Sequence, residues 1–233
     1  ILSPGDIAVR TNFATMELQG SELVVLDRRA GRITEKTAEL AAGLKDIDLG
    51  DGVRAALLPT DQHRCVLVLS GNDLSADITD TDPGSVQLPA RMKKCEFLSP
   101  GSDLAASKIN LFVHEAHRLL VDHPVNRERL SEGKLPANGI ITRGAGSPMK
   151  LDNTLQIHGV RTAVIAACNT VLGLGSVFGF DSKTDPRFTA TVDTDLDAKI
   201  AMAVSSLQSH DLVCVHFKAP DICSHDHRPL LKR

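Results

Sequence analysis

The feature that most constrains the fold is a strand–helix–strand pattern in the last third of the chain. Short apolar, β-branched runs at residues 164–166 and 213–217 flank residues 195–208, where apolar side chains recur at helical spacing. Thr194 is the predicted N-cap of this helix, with Asp197 in the reciprocal capping position. A strand, a crossover helix and a second strand in this order form a βαβ unit, which implies parallel strands. The sequence therefore predicts an α/β fold.

The preceding part of the chain also alternates strands and helices, but without a clear βαβ repeat. Apolar alternation and helical spacing predict strands at residues 6–13, 22–27, 53–58 and 64–69, and helices at residues 34–47 and 102–121. Residues 70–102 are rich in Asp, Gly, Pro and Ser, which is typical of an ordered loop region. We predict two domains, residues 1–133 and residues 134–233.

Composition excludes some classes of partner. The chain has 26 basic and 29 acidic residues, and this balance argues against nucleic acid or an anionic membrane as a partner. No apolar run approaches the roughly 20 residues that span a bilayer, and no secretory signal is apparent. The five cysteines include no C-x-x-C pair. We therefore expect reduced thiols and a cytoplasmic protein.

A candidate metal site follows the last predicted strand. Asp221 lies four residues beyond the strand's end, and His225 lies four residues further on. Binding and active sites in open α/β sheets lie beyond the carboxyl ends of the strands. A carboxylate together with an imidazole suits Mn²⁺ or Zn²⁺ as ligands. His227 competes with His225 as the ligand, because spacing alone does not separate them. Two ligands do not complete a site, so others must come from elsewhere.

Arginine recurs beside glycine at the ends of predicted elements. Residues 27–32 read Asp-Arg-Arg-Ala-Gly-Arg directly after a strand, and residues 142–146 read Thr-Arg-Gly-Ala-Gly. The planar guanidinium binds phosphate and carboxylate through paired donors, and glycine lets the backbone approach an anion. This pattern favours an anionic substrate. The alternative is a set of solvated surface arginines in ordinary ion pairs.

Two further pairs of polar residues are interpreted as structural. Asp80 and Asp82 lie in a turn before Pro83, where such carboxylates commonly shape the turn, although an acid–base or metal role is an alternative. His114 and His117 are spaced to share one helical face. We favour a packed, hydrogen-bonded histidine pair over a metal site.

Several segments, taken together, resemble the cofactor-independent phosphoglycerate mutases of the archaeal type, which are members of the alkaline phosphatase superfamily. The segments span nearly the whole chain: 5–15 (GDIAVRTNFAT), 27–32 (DRRAGR), 80–83 (DTDP), 123–129 (HPVNRER), 136–138 (PAN) leading to 143–146 (RGAG), 193–199 (DTDLDAK) and 216–221 (HFKAPD). Each segment alone is weak, whereas their order and spacing are specific.

The resemblance implies a reaction and an architecture. The reaction interconverts 3-phosphoglycerate and 2-phosphoglycerate, as in glycolysis, through a phosphoserine intermediate with two divalent metal ions, Mn²⁺ or Mg²⁺, or else Zn²⁺ or Co²⁺. Residues 1–133 would form an inserted α+β domain that binds the phosphoglycerate. Residues 134–233 would form part of a metal-binding, alkaline-phosphatase-like core with a mostly parallel sheet. Assembly into a homo-oligomer remains an open alternative.

The resemblance also assigns roles to individual residues. Asp221 and His225 match an aspartate and a histidine that bind one metal ion. The remaining matches are expected to bind substrate: Arg10, Asn12, Asp27, Arg29, Arg32, Arg143 and Lys218. Among these, Arg143 resembles an arginine at the phosphate, and Lys218 matches a lysine beside the site.

Departures from the family pattern lead to further expectations. The nucleophilic serine and one metal ligand are expected before residue 1, and other ligands after residue 233, so we expect a fragment that has no mutase activity alone. Ser224 replaces the usual glycine before the histidine, and Val192 stands where an aromatic residue is common. Two alternatives stay open: a metal-dependent phosphatase or phosphodiesterase of the same superfamily, and a non-catalytic binding module.

Overall fold

The computed structural model describes residues 2–84, 86–149, 151, 155 and 158–232, and the chain divides into two compact units, Ile1–Pro148 and Met149–Arg233. The elements of the first unit are β1 (Ile7–Gln19), β2 (Glu22–Asp27), α1 (Thr37–Ala42), β3 (Ile47–Asp48), β4 (Arg54–Pro59), β5 (Arg64–Ser70), β6 (Ala90–Arg91), α2 (Asp103–Leu120), α3 (Pro124–Ser131) and β7 (Gly139–Gly146). The strands form one antiparallel sheet in the order β3-β4-β5-β1-β2-β6, with β7 paired to β1.

Strand β1 organises the first unit because it is long enough to pair with three other strands. Residues 7–12 pair with β5, residues 8–14 with β7, and residues 15–19 with β2. Successive side chains of a strand point to opposite faces of its sheet. One face of β1 carries Ile7, Val9 and Phe13, which are buried in the main core. The opposite face is therefore free to carry polar residues.

Helix α2 covers the apolar face of the sheet. Its predicted apolar stripe is confirmed, because Ile109, Phe112, Val113, Ala116 and Leu120 are all buried in the same cluster as the β1 side chains. Each fully buried large side chain contributes about 1.5–3 kcal/mol of hydrophobic free energy. This packing holds the sheet as a rigid platform for residues on its other face.

The helix predicted at residues 34–47 is shorter than expected. Helix α1 ends at Ala42, and Ile47 pairs with Ala55 in β3 instead of continuing the helical face. Leu44 lies beyond the helix but is fully buried, and its carbonyl accepts a hydrogen bond from Leu57 N. A turn and a short strand thus place these apolar residues in or against the core. The helical spacing therefore predicted correctly which residues turn inward, but the predicted helix was too long.

The second unit is a small α/β layer. Its elements are β8 (Thr162–Ile165), α4 (Asn169–Val177), β9 (Asp181–Lys183), α5 (Leu196–Ser206), β10 (Leu212–Val215) and α6 (Ala219–His225). The three strands pair in parallel in the order β10-β8-β9. The βαβ pattern and the α/β class are confirmed by this pairing. The first unit adds an antiparallel sheet, so the fold as a whole is mixed α/β.

The N-terminus of α5 differs from the predicted cap. Asp195, rather than Thr194, is the N-cap, and its carboxylate accepts a hydrogen bond from Ala198 N at 2.8 Å. Thr194 instead accepts a hydrogen bond from Thr189 N in the preceding turn. A carboxylate at a helix N-terminus also interacts favourably with the helix dipole. The helix therefore begins one residue later than the sequence predicted.

The observed division of the chain falls after Pro148 rather than after residue 133. Strand β7 pairs along β1 from Gly139 to Gly146, so these residues are part of the first unit's sheet. Short β-branched runs such as Ile140–Ile141 do not reveal their pairing partner, which explains the displaced boundary. None of the helices within the described ranges is both long and apolar enough to cross a bilayer.

Candidate functional site

Four polar side chains share the face of the sheet opposite the main core. Arg10 on β1 lies opposite Arg143 on β7, and Asn12 lies opposite Arg64 on β5. Residues two apart on a strand point to the same face, and directly opposed residues on neighbouring strands do so as well. We call the group Arg10, Asn12, Arg64 and Arg143 the arginine face. Of these, Arg64 was not predicted.

Within the described residues, the arginines of the arginine face form no direct ion pair with an acid, although the charge of Arg143 helps to lower the pKa of Asp82. Burial, together with repulsion from Arg143 and Arg64, lowers the pKa of Arg10. The ion pairs found in the described part of the chain include none of these three arginines. The Nε atom of Arg143 is buried without a hydrogen-bond partner. Such an arrangement of donors is suited to an anion.

The loop at residues 27–32 is shaped by its own aspartate. One carboxylate oxygen of Asp27 accepts hydrogen bonds from Arg29 N at 2.8 Å and Gly31 N at 3.0 Å. Ala30, Gly31 and Arg32 then follow with positive φ angles of 47°, 64° and 59°, a conformation that only glycine adopts freely. Asp27 therefore holds the loop, whereas Arg29 and Arg32 expose their side chains.

Side-chain contacts to neighbouring segments hold this loop in place. Arg28 donates two hydrogen bonds to the buried carboxylate of Asp82, at 2.7 and 2.5 Å. Burial alone would raise the pKa of Asp82, but the hydrogen bonds from Arg28 and from Gly84 N outweigh burial and lower it. Arg129 donates to the carbonyl of Ala30 at 3.0 Å. The structural interpretation of Asp82 is thereby confirmed, and Arg28 and Arg129 support the loop.

His63 is a further site residue that sequence analysis missed. It lies in the β4–β5 turn, where its carbonyl accepts a hydrogen bond from Phe13 N, and its ring is buried with Nδ1 unpartnered. Burial is the main cause that lowers the pKa of His63 to about 4, and the nearby charges of Arg64 and Arg29 add to it. The imidazole is therefore neutral at pH 7. Only the register of β5 against β1 brings it here, and no sequence motif signals that.

The low pKa of His63 predicts a loss of stability in mild acid. Between pH 6.5 and about 4 the unfolded chain binds a proton at this residue, whereas the folded chain does not. The free energy of unfolding should therefore fall by about 2–3 kcal/mol over this range from His63 alone. Urea unfolding at pH 7.5 and 4.5 measures this loss, with His63→Gln as the control for other titrating groups. An equal loss in both proteins would contradict the assignment.

Of the predicted histidine pair on α2, only His117 is packed and hydrogen-bonded. Its Nδ1 atom lies 2.7 Å from the carbonyl of Asn138, and the side chain is buried. His114 is exposed, because it lies on the outer side of the helix. Prediction of a structural rather than metal-binding role is confirmed for His117, and the expectation that His114 is packed is wrong.

Helix α6 brings the predicted metal ligands together in the second unit. Asp221 Oδ1 lies 3.6 Å from His225 Nε2, one helical turn away. His227 lies beyond the helix with a left-handed backbone conformation. Lys218 donates a hydrogen bond to the other carboxylate oxygen of Asp221, and this bond outweighs burial and lowers the pKa of Asp221, with weaker contributions from the charges of His225 and His216.

The geometry of this pair fits a divalent cation. Oxygen and nitrogen ligands that share one metal ion at about 2.1 Å lie roughly 3–3.5 Å apart, close to the observed separation of Asp221 and His225. Both side chains are accessible. Within the described residue ranges, no third His, Cys, Asp or Glu joins them. The structure thus brings the two predicted ligands together, with Lys218 as their neighbour.

A buried lysine holds the segment that leads into α6. Lys199 on α5 donates a hydrogen bond to the carbonyl of His216 at 3.2 Å and lies over the rings of Phe188 and Phe217. Burial lowers the pKa of Lys199. The hydroxyl of Ser224 donates a hydrogen bond to the carbonyl of Pro220. Neither of these contacts disturbs the Asp221–His225 pair.

Comparisons with known proteins agree on one family. A family model described as 2,3-bisphosphoglycerate-independent phosphoglycerate mutase matches residues 1–126, more than half of the chain. A protein of that name from Methanopyrus kandleri is 44% identical over 226 residues, covering 96% of this chain and 53% of that protein. Another, from Archaeoglobus fulgidus, is 40% identical over 231 residues, covering 97% of this chain and 55% of that protein.

Solved structures give the same result. The cofactor-independent phosphoglycerate mutase from Thermoplasma acidophilum matches with a TM-score of 0.64 and 34% identity, over 92% of this chain and 55% of that one. A protein from Pyrococcus horikoshii matches with a TM-score of 0.70 and 27% identity, over 100% of this chain and 52% of that one. The chain thus spans about half the length of the relatives it matches. It belongs to the family of 2,3-bisphosphoglycerate-independent phosphoglycerate mutases.

Proposed function

We propose that the chain is part of an enzyme that interconverts 3-phosphoglycerate and 2-phosphoglycerate, and that the arginine face binds the phosphoglycerate. The observation that carries this proposal is the set of three neighbouring arginines that form no ion pair within the described part of the chain, one of which has a buried Nε without a hydrogen-bond partner there. Uncompensated charge of this kind costs stability unless a bound anion offsets it. The names of the matching relatives identify a suitable anion, since phosphoglycerate carries both a carboxylate and a phosphate.

We assign separate tasks to the two groups of arginines. Arg10, Arg64 and Arg143 extend from a rigid sheet, so they suit the group that must be held most firmly. Arg29 and Arg32 extend from the loop at residues 27–32 and suit the other charged group. Positioning is the chemical contribution of these residues, because correctly oriented reactants react far faster than free ones. Asp27 acts on the substrate only through the loop that it shapes.

The second unit would supply half of one metal site. Asp221 and His225 would hold a divalent ion, Mn²⁺ or Mg²⁺ with Zn²⁺ or Co²⁺ as alternatives, and further protein ligands and a second ion would complete the centre. Such ions act as Lewis acids on a phosphoryl group. Lys218 would keep the Asp221 carboxylate ionised and oriented, as its hydrogen bond to that carboxylate suggests.

The proposal extends to architecture and location. The first unit would be the inserted substrate-binding domain, and the second unit would be part of an alkaline-phosphatase-like core whose larger sheet is mostly parallel. The three parallel strands of the second unit are consistent with this assignment. The enzyme would act on a small metabolite in the cytoplasm, with phosphoglycerate as its partner. These assignments follow from the family to which the chain belongs.

Calorimetric titration of the 233-residue chain with 3-phosphoglycerate at low ionic strength tests the proposal. We expect saturable binding that weakens as salt is raised, because the contacts are charge-assisted. Glycerol 3-phosphate, which has the phosphate but not the carboxylate, should bind at least about tenfold more weakly, since it loses one pair of charge-assisted hydrogen bonds. Equal affinity for the two compounds would contradict recognition of a phosphorylated acid.

A further inference from the structure

Buried polar atoms without partners are concentrated at the arginine face. The described part of the chain contains four buried side-chain nitrogen or oxygen atoms that lack a hydrogen-bond partner. Three of them belong to this region: Asn12 Oδ1, His63 Nδ1 and Arg143 Nε. Native proteins leave few such atoms unsatisfied, so a cluster of them calls for a partner, which can be a water molecule, an ion or a ligand. The Arg143 atom is a donor and suits an anion, but the other two require a different explanation.

Asn12 offers an acceptor that an anion cannot use. Its amide nitrogen donates to the carbonyl of Arg28 at 3.3 Å, and this contact fixes the orientation of the amide because the oxygen would repel that carbonyl. The oxygen is then left buried and unpartnered, with the side chain 6% exposed. A carbonyl oxygen can only accept hydrogen bonds. Its partner must therefore be an O–H or N–H group.

His63 offers a second acceptor next to the same strand. Its carbonyl bonds to Phe13 N, so the residue is adjacent to Asn12 and Arg64, and its side chain is 5% exposed. A neutral imidazole has one protonated nitrogen and one nitrogen with a lone pair. Burial and the positive charges of Arg10, Arg29 and Arg64 keep the ring neutral, and we assign its lone pair to the buried, unpartnered Nδ1.

We propose that Asn12 and His63 determine specificity by accepting hydrogen bonds from hydroxyl groups of the bound acid. The arginine face then selects hydroxy acids over other anions of equal charge. The inference rests on the proposed function, in which the acid is a phosphoglycerate. Arginine side chains can only donate, so they cannot recognise a hydroxyl through its proton. Two acceptors match the two hydroxyl oxygens of the glycerate skeleton, one of which bears the phosphate in each isomer.

The test compares two acids that differ by one hydroxyl. 3-Phosphoglycerate and 3-phosphooxypropionate carry the same carboxylate and phosphate, but only the first has a 2-hydroxyl. For the wild-type chain, we expect 3-phosphooxypropionate to bind on the order of ten- to a hundred-fold more weakly, because it leaves a buried acceptor unpaired. Calorimetry measures both dissociation constants under the same conditions.

Variants of Asn12 and His63 then test whether these two acceptors cause the difference in affinity between the two acids. 3-Phosphoglycerate has one free hydroxyl, so one of the two variants His63→Phe and Asn12→Leu should lower the discrimination, measured as the dissociation constant of 3-phosphooxypropionate divided by that of 3-phosphoglycerate. The other variant should leave it unchanged, and His63→Gln, which retains an acceptor, should preserve it. Arg64→Leu is the matched control and should weaken both acids by the same factor, leaving the ratio unchanged. Thermal unfolding of each variant shows that it is folded. If one variant does not fold, the other variant and the wild-type ratio still test the proposal.

The outcomes separate this inference from the proposed function. Equal binding of both acids to the wild-type chain overturns the inference and leaves the phosphoglycerate site intact. A wild-type ratio that persists in both His63→Phe and Asn12→Leu also overturns it. If neither acid binds, the proposed function is contradicted, and the inference is contradicted with it.

Discussion

Replacing Arg10 by leucine is expected to weaken the binding of 3-phosphoglycerate by about 10- to 150-fold, through the loss of about 1.5–3 kcal/mol of charge-assisted hydrogen bonding. The same variant should be more stable than the wild type when no ligand is present. Arg10 lies between Arg64 and Arg143, whose charges oppose its own, and leucine removes that repulsion. The gain should be below about 1 kcal/mol, since Arg10 is exposed to solvent screening.

Calorimetry and urea unfolding of the same preparation measure the two effects. Arg91→Leu is the matched control, because Arg91 lies on the edge strand β6, 77% exposed, and pairs with Glu22. It should leave the affinity unchanged and should not raise the stability. A destabilised Arg10→Leu chain with unaltered affinity would mean that the arginine face serves the fold and not a ligand.

The second large effect is expected from Arg28→Met, which should destabilise the chain by about 2–3 kcal/mol. The change leaves the Asp82 carboxylate 4% exposed and without its cationic partner, and removing one partner of a buried ion pair is costly. The expected loss of stability is smaller than for a fully buried ion pair because Arg28 is itself 27% exposed. The loop at residues 27–32 also loses a support, so binding of 3-phosphoglycerate should weaken in the same variant.

The pH dependence of Arg28→Met identifies the cause. In the wild type Arg28 lowers the pKa of Asp82, and that stabilisation is lost as the pH falls through the folded-state pKa. In the variant burial raises the pKa instead, so protonation relieves the strain and the difference between the two proteins should shrink below about pH 5. Adding Asp82→Asn to the variant should recover part of the stability. A deficit that is constant from pH 7.5 to 4.5 would argue against the ion pair.

An exposed ion pair provides the control for that experiment. Arg54 pairs with Asp46 at 2.6 Å, but the two side chains are 51% and 72% exposed. Solvent-exposed pairs contribute about 0–1 kcal/mol. Arg54→Met should therefore cost less than about 1 kcal/mol and should leave phosphoglycerate binding unchanged.

The sequence predicted the second unit better than the first because its contacts are local. The βαβ pattern fixes two parallel strands and the helix between them within about 50 residues. The Asp221–His225 pair follows from helical spacing, since residues four apart share a face. Nothing in residues 166–195 showed where β9 would pair, and the N-cap was displaced by one residue.

The arginine face was predicted only in part because it depends on the pairing of distant strands. Arg10 and Asn12 were found through the family resemblance, and Arg143 also through its arginine–glycine pattern, but their alignment requires β7 to pair with β1 across more than 120 residues of sequence. Arg64 and His63 were missed because their role depends on the register of β5 against β1. Asp27 was identified as important, whereas its contacts to Arg29 N and Gly31 N could be seen only in the folded loop.

Strand β1 presents core residues to one side and the polar side chains of Arg10 and Asn12 to the other over residues 7–13. Inserting or deleting one residue ahead of this segment would exchange the two sides, placing the Arg10 guanidinium under α2 and turning Val9 and Phe13 toward solvent. Evolution can therefore substitute side chains along this segment but cannot change its length. Natural variation among related enzymes should be free of gaps here, even where the loops at either end differ in size.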